Sequence, residues 1–245
     1  DGQIILLTDQ TDTRRLQAEV SRHERLTALG KMVSTLAHQV RTPLSSAMLY
    51  GSHLLNTTLS PKQQRQFTQK LLNRLHEMER QVRDMLLFVK SDIVLNDKTT
   101  LTELQQSLVD TMDMSLEQQG IVCSWDIDYP QHMICCNKDA LVGALLNLIN
   151  NSMQAMKEQG ELHIMFQSDE NNMLTITIKD NGVGIDDHIK VKVHELFYTT
   201  KSQGTGIGLT VVDTVAKSHG GVFHLLNNQP QGVCAQLTLP IISNA

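Results

Sequence analysis

The chain has 245 residues, with 21 Lys+Arg against 26 Asp+Glu and a net charge of −5. Hydrophobic residues at 40% and charged residues at 19% exclude a wholly disordered chain, and roughly 150 residues per domain suggests one to two domains. No apolar run approaches the roughly 18 residues of a membrane span, and a mildly acidic chain without a dense Lys/Arg cluster is poorly suited to nucleic acid.

The first 20 residues read as the end of something larger. Ile4-Ile5-Leu6-Leu7 is one short apolar run, and a single strand buries nothing by itself. Residues 1–21 are therefore expected to be the end of a truncated domain and its exit helix.

Residues 22–90 read as two long helices. Leu26, Leu29, Val33, Leu36 and Val40 are spaced by 3, 4, 3 and 4, a heptad seam. Leu71, Leu75, Met78, Val82, Met85 and Val89 repeat the pattern. Between the runs Ser60, Pro61 and Gln63 form a helix-start signature. One hairpin cannot cover its own seam, so two chains are expected to pair into a four-helix bundle. The hairpin domain is placed at 22–92.

Residues 97–245 mix helices and strands. A helix is expected from about Thr102 to Glu117, ending near Gly120, then a strand at Ile121–Ile127. Asp139 is expected to cap a helix through Met156, stopped by Gly160. Strands follow at Glu161–Gln167 and Met173–Lys179, the second with Leu174, Ile176 and Ile178 on one face. A helix from Gly208 to His219 and strands at Val222–Leu226 and Val233–Leu239 complete an α/β sandwich, with one mixed sheet and helices on one face.

The cysteines (Cys123, Cys135, Cys136 and Cys234) show no metal-ligand spacing. With no signal-peptide pattern at the start, reduced thiols in a cytoplasmic setting are expected.

Three clusters carry chemistry. With Val33 at heptad position a, His38 falls at f and points away from the seam. Thr42 is four residues on, beside it, and Pro43 removes a helix hydrogen bond just after. A neutral imidazole can attack phosphorus, although a lone surface His is usually only that. Asp180-Asn181-Gly182-Val183-Gly184 follows a strand, and Gly204-Thr205-Gly206-Ile207-Gly208-Leu209 opens a helix. Glycines admit a polyphosphate close to the backbone, and a helix N-terminus favours anions. Neither stretch is a Walker A loop or a dinucleotide fingerprint. Asn147 and Asn151, four apart on an apolar helix, can offer side-chain oxygens to a hard cation such as Mg²⁺.

Together these motifs resemble the sensor histidine kinases of two-component systems. Leu36-Ala37-His38-Gln39-Val40-Arg41-Thr42-Pro43-Leu44 resembles the H-box, and Asn147–Ala155 the N-box. Asp180–Gly184 resembles the G1 box, Glu195–Lys201 the F-box region and Gly204–Leu209 the G2 box. Asp9-Gln10-Thr11 resembles the exit of a PAS sensor domain. The H-Q-V-R-T-P-L-S variant is most like soluble kinases of the nitrogen-regulation or polar-flagellar type.

The resemblance implies a helical-hairpin dimerisation and phosphotransfer domain, then a GHKL/Bergerat ATP-binding domain at 97–245. It makes His38 the phosphoacceptor and Asn151 the Mg²⁺ ligand, with Asn147 near the phosphates. Asp180 would accept from the adenine amino group, with Gly182 and Gly184 fitting the base closely. Residues 186–203 would form a lid carrying Lys201, with Gly204, Thr205, Gly206 and Gly208 at the phosphates. Thr42 would orient water against the phospho-aspartate of a response regulator, for this subgroup an NtrC-like transcriptional activator.

One residue departs from the pattern: the family places an acidic residue after the phosphoacceptor, and here it is Gln39. An amide accepts a hydrogen bond but takes no proton. Slow autophosphorylation is the expectation. A scaffold that binds ATP but hardly phosphorylates is the alternative, and an ATP-gated interaction protein of the same nucleotide fold is a further one.

Overall fold

A computed structural model describes residues 11–55, 59–89, 93–156, 159–190, 192–195, 198–199 and 206–241. The expected strand at 4–7 lies outside the described residues. The chain divides into two compact units, Asp1–Asp92 and Ile93–Ala245.

In the first unit helix α1 spans Thr11–Leu54 and helix α2 spans Pro61–Val89. α1 thus begins well before the expected residue 22 and continues through Pro43 as one helix. The start of α2 follows its sequence signature: the Gln63 amide donates to Ser60 Oγ (3.3 Å) while the Ser60 amide donates to Gln63 Oε1 (3.0 Å). Two helix-start donors are satisfied reciprocally. The helices pack against each other, and near the hairpin tip Phe67 stacks with Tyr50 and His53 at 6.2 and 5.0 Å between centroids.

The heptad residues are only partly covered within a single hairpin: Val40, Leu71, Met78, Met85 and Val89 are half-buried. Leu26, Val33, Leu75 and Val82 are exposed, whereas α2 buries Gln81, Asp84 and Phe88. Exposed large apolar side chains in a row, at coiled-coil spacing, are the surface a partner helix covers.

The second unit begins with strand β1 (Asp97–Thr100) and helix α3 (Leu101–Gln119). Thr100 and Glu103 form a capping box, and Gly120 closes the helix in the left-handed region at φ 64°, where glycine lacks the steric penalty of other residues. Strands β2 (Val122–Ile127) and β3 (Met133–Cys136) lead to helix α4 (Lys138–Ala155). Strands β4 (Glu161–Ser168) and β5 (Met173–Asp180) follow, then the short helix α5 (Asp187–Lys190) and a 3-10 turn at Lys192–His194. Helix α6 (Gly208–Ser218) and strands β6 (Val222–Asn227) and β7 (Val233–Pro240) end the unit.

The main sheet has strand order β2-β4-β5-β7-β6 and is mixed: β2 pairs parallel with β4, and the other pairs are antiparallel. In cross-strand register, Ile164, Ile178, Ala235 and Leu225 form one buried row. Phe166, Ile176, Leu237 and Phe223 form the next. Helices α3, α4 and α6 contact this sheet, so the period-2 pattern of the strands builds a two-layer core.

Three local expectations are corrected. β1 and β3 pair as a separate two-stranded sheet that four-residue strands left unsignalled. Asn137, not Asp139, caps α4, its side chain accepting from the Ala140 amide (3.1 Å). α4 ends at Ala155, before Gly160. Gly160 serves packing instead, since a Cβ there would lie 2.9 Å from Ile121 Cγ1 and 3.0 Å from Met156 Sδ.

His219 ties α6 to the start of α4. It is buried, with Nδ1 2.7 Å from the Val215 carbonyl, while Nε2 accepts from the Asn137 amide (3.1 Å) at the start of α4. That arrangement requires the neutral ring with the proton on Nδ1. Burial pushes the His219 pKa down, against the upward pull of the Val215 bond. The unfolded chain therefore takes up this proton at about pH 6.5 and the folded chain only at lower pH. His219 contributes its full stability above that value and loses it as the pH falls below it. Melting temperature should decline from pH 7 to pH 5.5, and the decline should be shallower in His219→Gln; parallel profiles for the two proteins would contradict this role.

Candidate functional site

The last residue of β5 is Asp180, 2% exposed. Its Oδ1 accepts from two backbone amides, Gly182 (2.9 Å) and Val233 (3.1 Å). Its own carbonyl accepts from Asn228 Nδ2 (2.9 Å). Oδ2 takes no part in these bonds.

The loop after Asp180 packs against the end of α4. Gly182 is buried, and a Cβ there would stand 2.9 Å from the Ala155 carbonyl and 2.9 Å from Asp180 Oδ1. The Val183 amide donates to the Ala155 carbonyl (3.3 Å). Gly184 adopts φ 76°, where a side chain would be strained. Asn181 Oδ1 accepts from the Glu161 amide (2.9 Å), fixing the loop to β4.

Asn147, Asn151 and Ala155 lie at i, i+4 and i+8, on one face of α4. Asn147 is buried, and its Cγ lies 3.8 Å from where a Cβ of Gly208 would stand. Gly208 is the first residue of α6. α4 therefore presents one face that starts at the α6 N-terminus and ends at the Asp180 loop, ~12 Å away at helical rise. Gly208 at the Asn147 end and the Gly182–Val183 loop at the Ala155 end thus lie along that face. Asn151 is half-buried. Asn150 turns back, its Nδ2 donating to the Leu146 carbonyl (2.7 Å).

Gly206 is at φ 66°. Lys201, Gly204 and Thr205 lie outside the described residues. Of the expected lid, Asp186 caps α5, accepting from the His188 amide (2.9 Å).

In the other unit His38 is exposed, and so is Thr42. The Thr42 hydroxyl donates to the His38 backbone carbonyl (3.1 Å), and the i, i+4 spacing puts the two side chains on one helix face. Pro43 brings no amide to the turn that begins at Gln39, and Gln39 is half-buried.

Asn227, Asn228, Gly232 and Val233 were not singled out from the sequence. Asn-Asn-Gln-Pro-Gln-Gly signals only a turn between strands; its contact with Asp180 is tertiary.

Residues 136–243 match the family model for histidine kinase-, DNA gyrase B- and HSP90-like ATPases, and residues 28–93 match the His Kinase A (phospho-acceptor) domain. The chain carries the two domains of a sensor histidine kinase. It is 44% identical over its whole length to the sensor protein kinase FleS of Pseudomonas aeruginosa. It is 26% identical over 98% of its length to the signal transduction histidine-protein kinase AtoS of Escherichia coli. The chain spans 60% and 39% of those two relatives. Among solved structures, histidine kinase ThkA in complex with response regulator TrrA matches 95% of the chain and 68% of that protein, with TM-score 0.71 and 21% identity.

The ATPase-type domain implies ATP binding, and the Asp180 carboxylate is chemically suited to accept from an amino group. Asp180→Asn retains an acceptor for the two backbone amides but turns the other arm into a donor. An unsatisfied or opposed buried polar group costs about 1–3 kcal/mol. Fluorescent-nucleotide titration should show affinity reduced by about ten- to a hundredfold with the melting temperature little changed. Unaltered affinity would remove Asp180 from base recognition.

Proposed function

We propose that the protein is an ATP-dependent protein-histidine kinase that phosphorylates His38 and passes the phosphoryl group to an Asp of a response regulator. One observation carries this: the same chain holds a buried carboxylate at the end of an anion-compatible cradle and an exposed imidazole on a helix hairpin. ATP lies along the α4 face, base at Asp180 and phosphates toward Asn147 and the start of α6. The α6 N-terminus contributes unpaired amides and a favourable dipole, so positioning and electrostatics supply most of the rate.

The neutral imidazole nitrogen of His38 forms the new bond to the γ-phosphorus as the bond to the ADP oxygen breaks. The second ring nitrogen then gives up its proton. Gln39 can accept a hydrogen bond from that N–H but cannot take the proton, so water or another base completes the step. This limits the forward reaction and supports the second reading, a regulatory protein with weak kinase activity.

The donors fit magnesium. Among the described residues no group of three His, Cys, Asp or Glu side chains could hold a metal, and Asn151 offers an amide oxygen. Mg²⁺ accepts few protein oxygens and keeps water and phosphate oxygens for the rest; when bound it neutralises phosphate charge. The protein works as a homodimer through the exposed heptad seam of α1 and α2, in the cytoplasm, with an NtrC-like activator of flagellar or nitrogen-regulated genes as partner. Thr42, held over the His38 turn, serves the reverse task of orienting water for phospho-aspartate hydrolysis.

Incubation with γ-labelled ATP should give an acid-labile, base-stable label that vanishes in His38→Ala; a label that persists would rule out His38. Gln39→Glu should raise the labelling rate by at least tenfold, towards the about 10²-fold typical of general-base help; an unchanged rate would mean Gln39 does not limit the reaction. Thr42→Ala should leave His38 labelling intact and slow loss of phosphate from the regulator. Equal loss of both would contradict a separate phosphatase role.

A further inference from the structure

The turn between β6 and β7 reaches across to the loop after β5 at several points. Asn227, the last residue of β6, is exposed, yet its side-chain amide is used at both ends. Oδ1 accepts from the Ile185 amide (3.0 Å) and Nδ2 donates to the Ile185 carbonyl (3.0 Å). One side chain thus satisfies both backbone groups of a loop residue, as a neighbouring strand would. Asn228 Nδ2 donates to the Asp180 carbonyl, and the Val233 amide donates to Asp180 Oδ1. Gly232, at φ 110°, lets the turn come close: a Cβ there would stand 1.9 Å from the Asp180 carbonyl oxygen. The Asn228 amide donates to the Gly232 carbonyl (2.9 Å), closing the turn on itself.

We propose that Asn227 and Asn228 are positioning residues for the nucleotide, locking both ends of the segment from Asp180 to Ile185 onto the β6–β7 turn before ATP arrives. The inference rests on ATP binding at Asp180. As far as Val183 the loop is held by β4 and by the end of α4, whereas at Ile185 both backbone groups are bonded to the Asn227 side chain. Without the clamp, nucleotide binding must itself order the loop, and that entropy is subtracted from affinity. Asn228 fixes the carboxylate end and Asn227 the end that leads into α5. Neither needs to touch the nucleotide, so the expected signature is in binding rather than in the chemical step.

Asn227→Ala removes two hydrogen bonds at an exposed position. KM for ATP in His38 labelling should rise about five- to thirtyfold with kcat within about twofold, and the melting temperature should shift little. Asn228→Ala should act in the same direction, and the double variant should exceed either single one. Gln231→Ala, an exposed residue of the same turn without a hydrogen bond to the loop, should leave KM unchanged. Amide exchange at Ile185 in the nucleotide-free protein should accelerate in Asn227→Ala. An unchanged KM, an equal change in Gln231→Ala, or a loss of affinity that only tracks a lowered melting temperature would overturn the proposal. Failure of the parent protein to bind ATP at all would instead overturn the reading beneath it.

Discussion

A carboxylate cannot be buried at 2% exposure without hydrogen-bond donors, and the way Asp180 meets that demand organises the ATP-binding unit. Its Oδ1 draws in amides from two directions, one from the loop that follows β5 and one from the start of β7. The loop is thereby pulled against the end of α4, where only glycine fits at 182. The same helix carries Asn147 against the first residue of α6. A single helix face therefore joins a buried carboxylate suited to a base with an N-terminus suited to phosphate. His219 reinforces this from behind, linking the far end of α6 to the start of α4.

The hairpin unit follows a different constraint. Its heptad residues Leu26, Val33, Leu75 and Val82 are exposed in one chain, while Gln81, Asp84 and Phe88 are covered. A helix pair with an uncovered apolar row is an incomplete structure, and a second copy completes it most simply because a symmetric interface presents the same row twice. His38 and Thr42 stand on the exposed surface, outside the covered set. Both side chains are therefore accessible from outside the hairpin.

Much of this was legible in the residues. Local chemistry was the most readable: Ser60 and Gln63 announced the start of α2, Gly120 the end of α3, and the alternation in β5 its buried face. Those signals are short-range, and neighbours in sequence satisfy them. What stayed hidden depended on distant partners. Asn137 and Asp139 are both good caps, and the choice between them follows from how the chain enters α4, with the Asn137 amide held by His219 and its Nδ2 by the Val94 carbonyl. Strands as short as β1 and β3 carry too few residues for a period to show. Gly160 reads as a helix stop, yet its smallness answers to Ile121 and Met156. The chemistry-bearing residues were readable as motifs, but the turn at Asn227 and Asn228 that holds them was not, because asparagines in a turn signal only the turn.

The central claim is that Mg-ATP orders one continuous face, from the start of α6 along α4 to the loop after Asp180. Amide hydrogen exchange of the whole chain, with and without Mg-ATP, tests it most directly. The account predicts slowed exchange at Gly182, Val183 and the first turn of α6 together, lost in Asp180→Asn. Slowing confined to the hairpin unit, or none at these amides at saturating nucleotide, would contradict it.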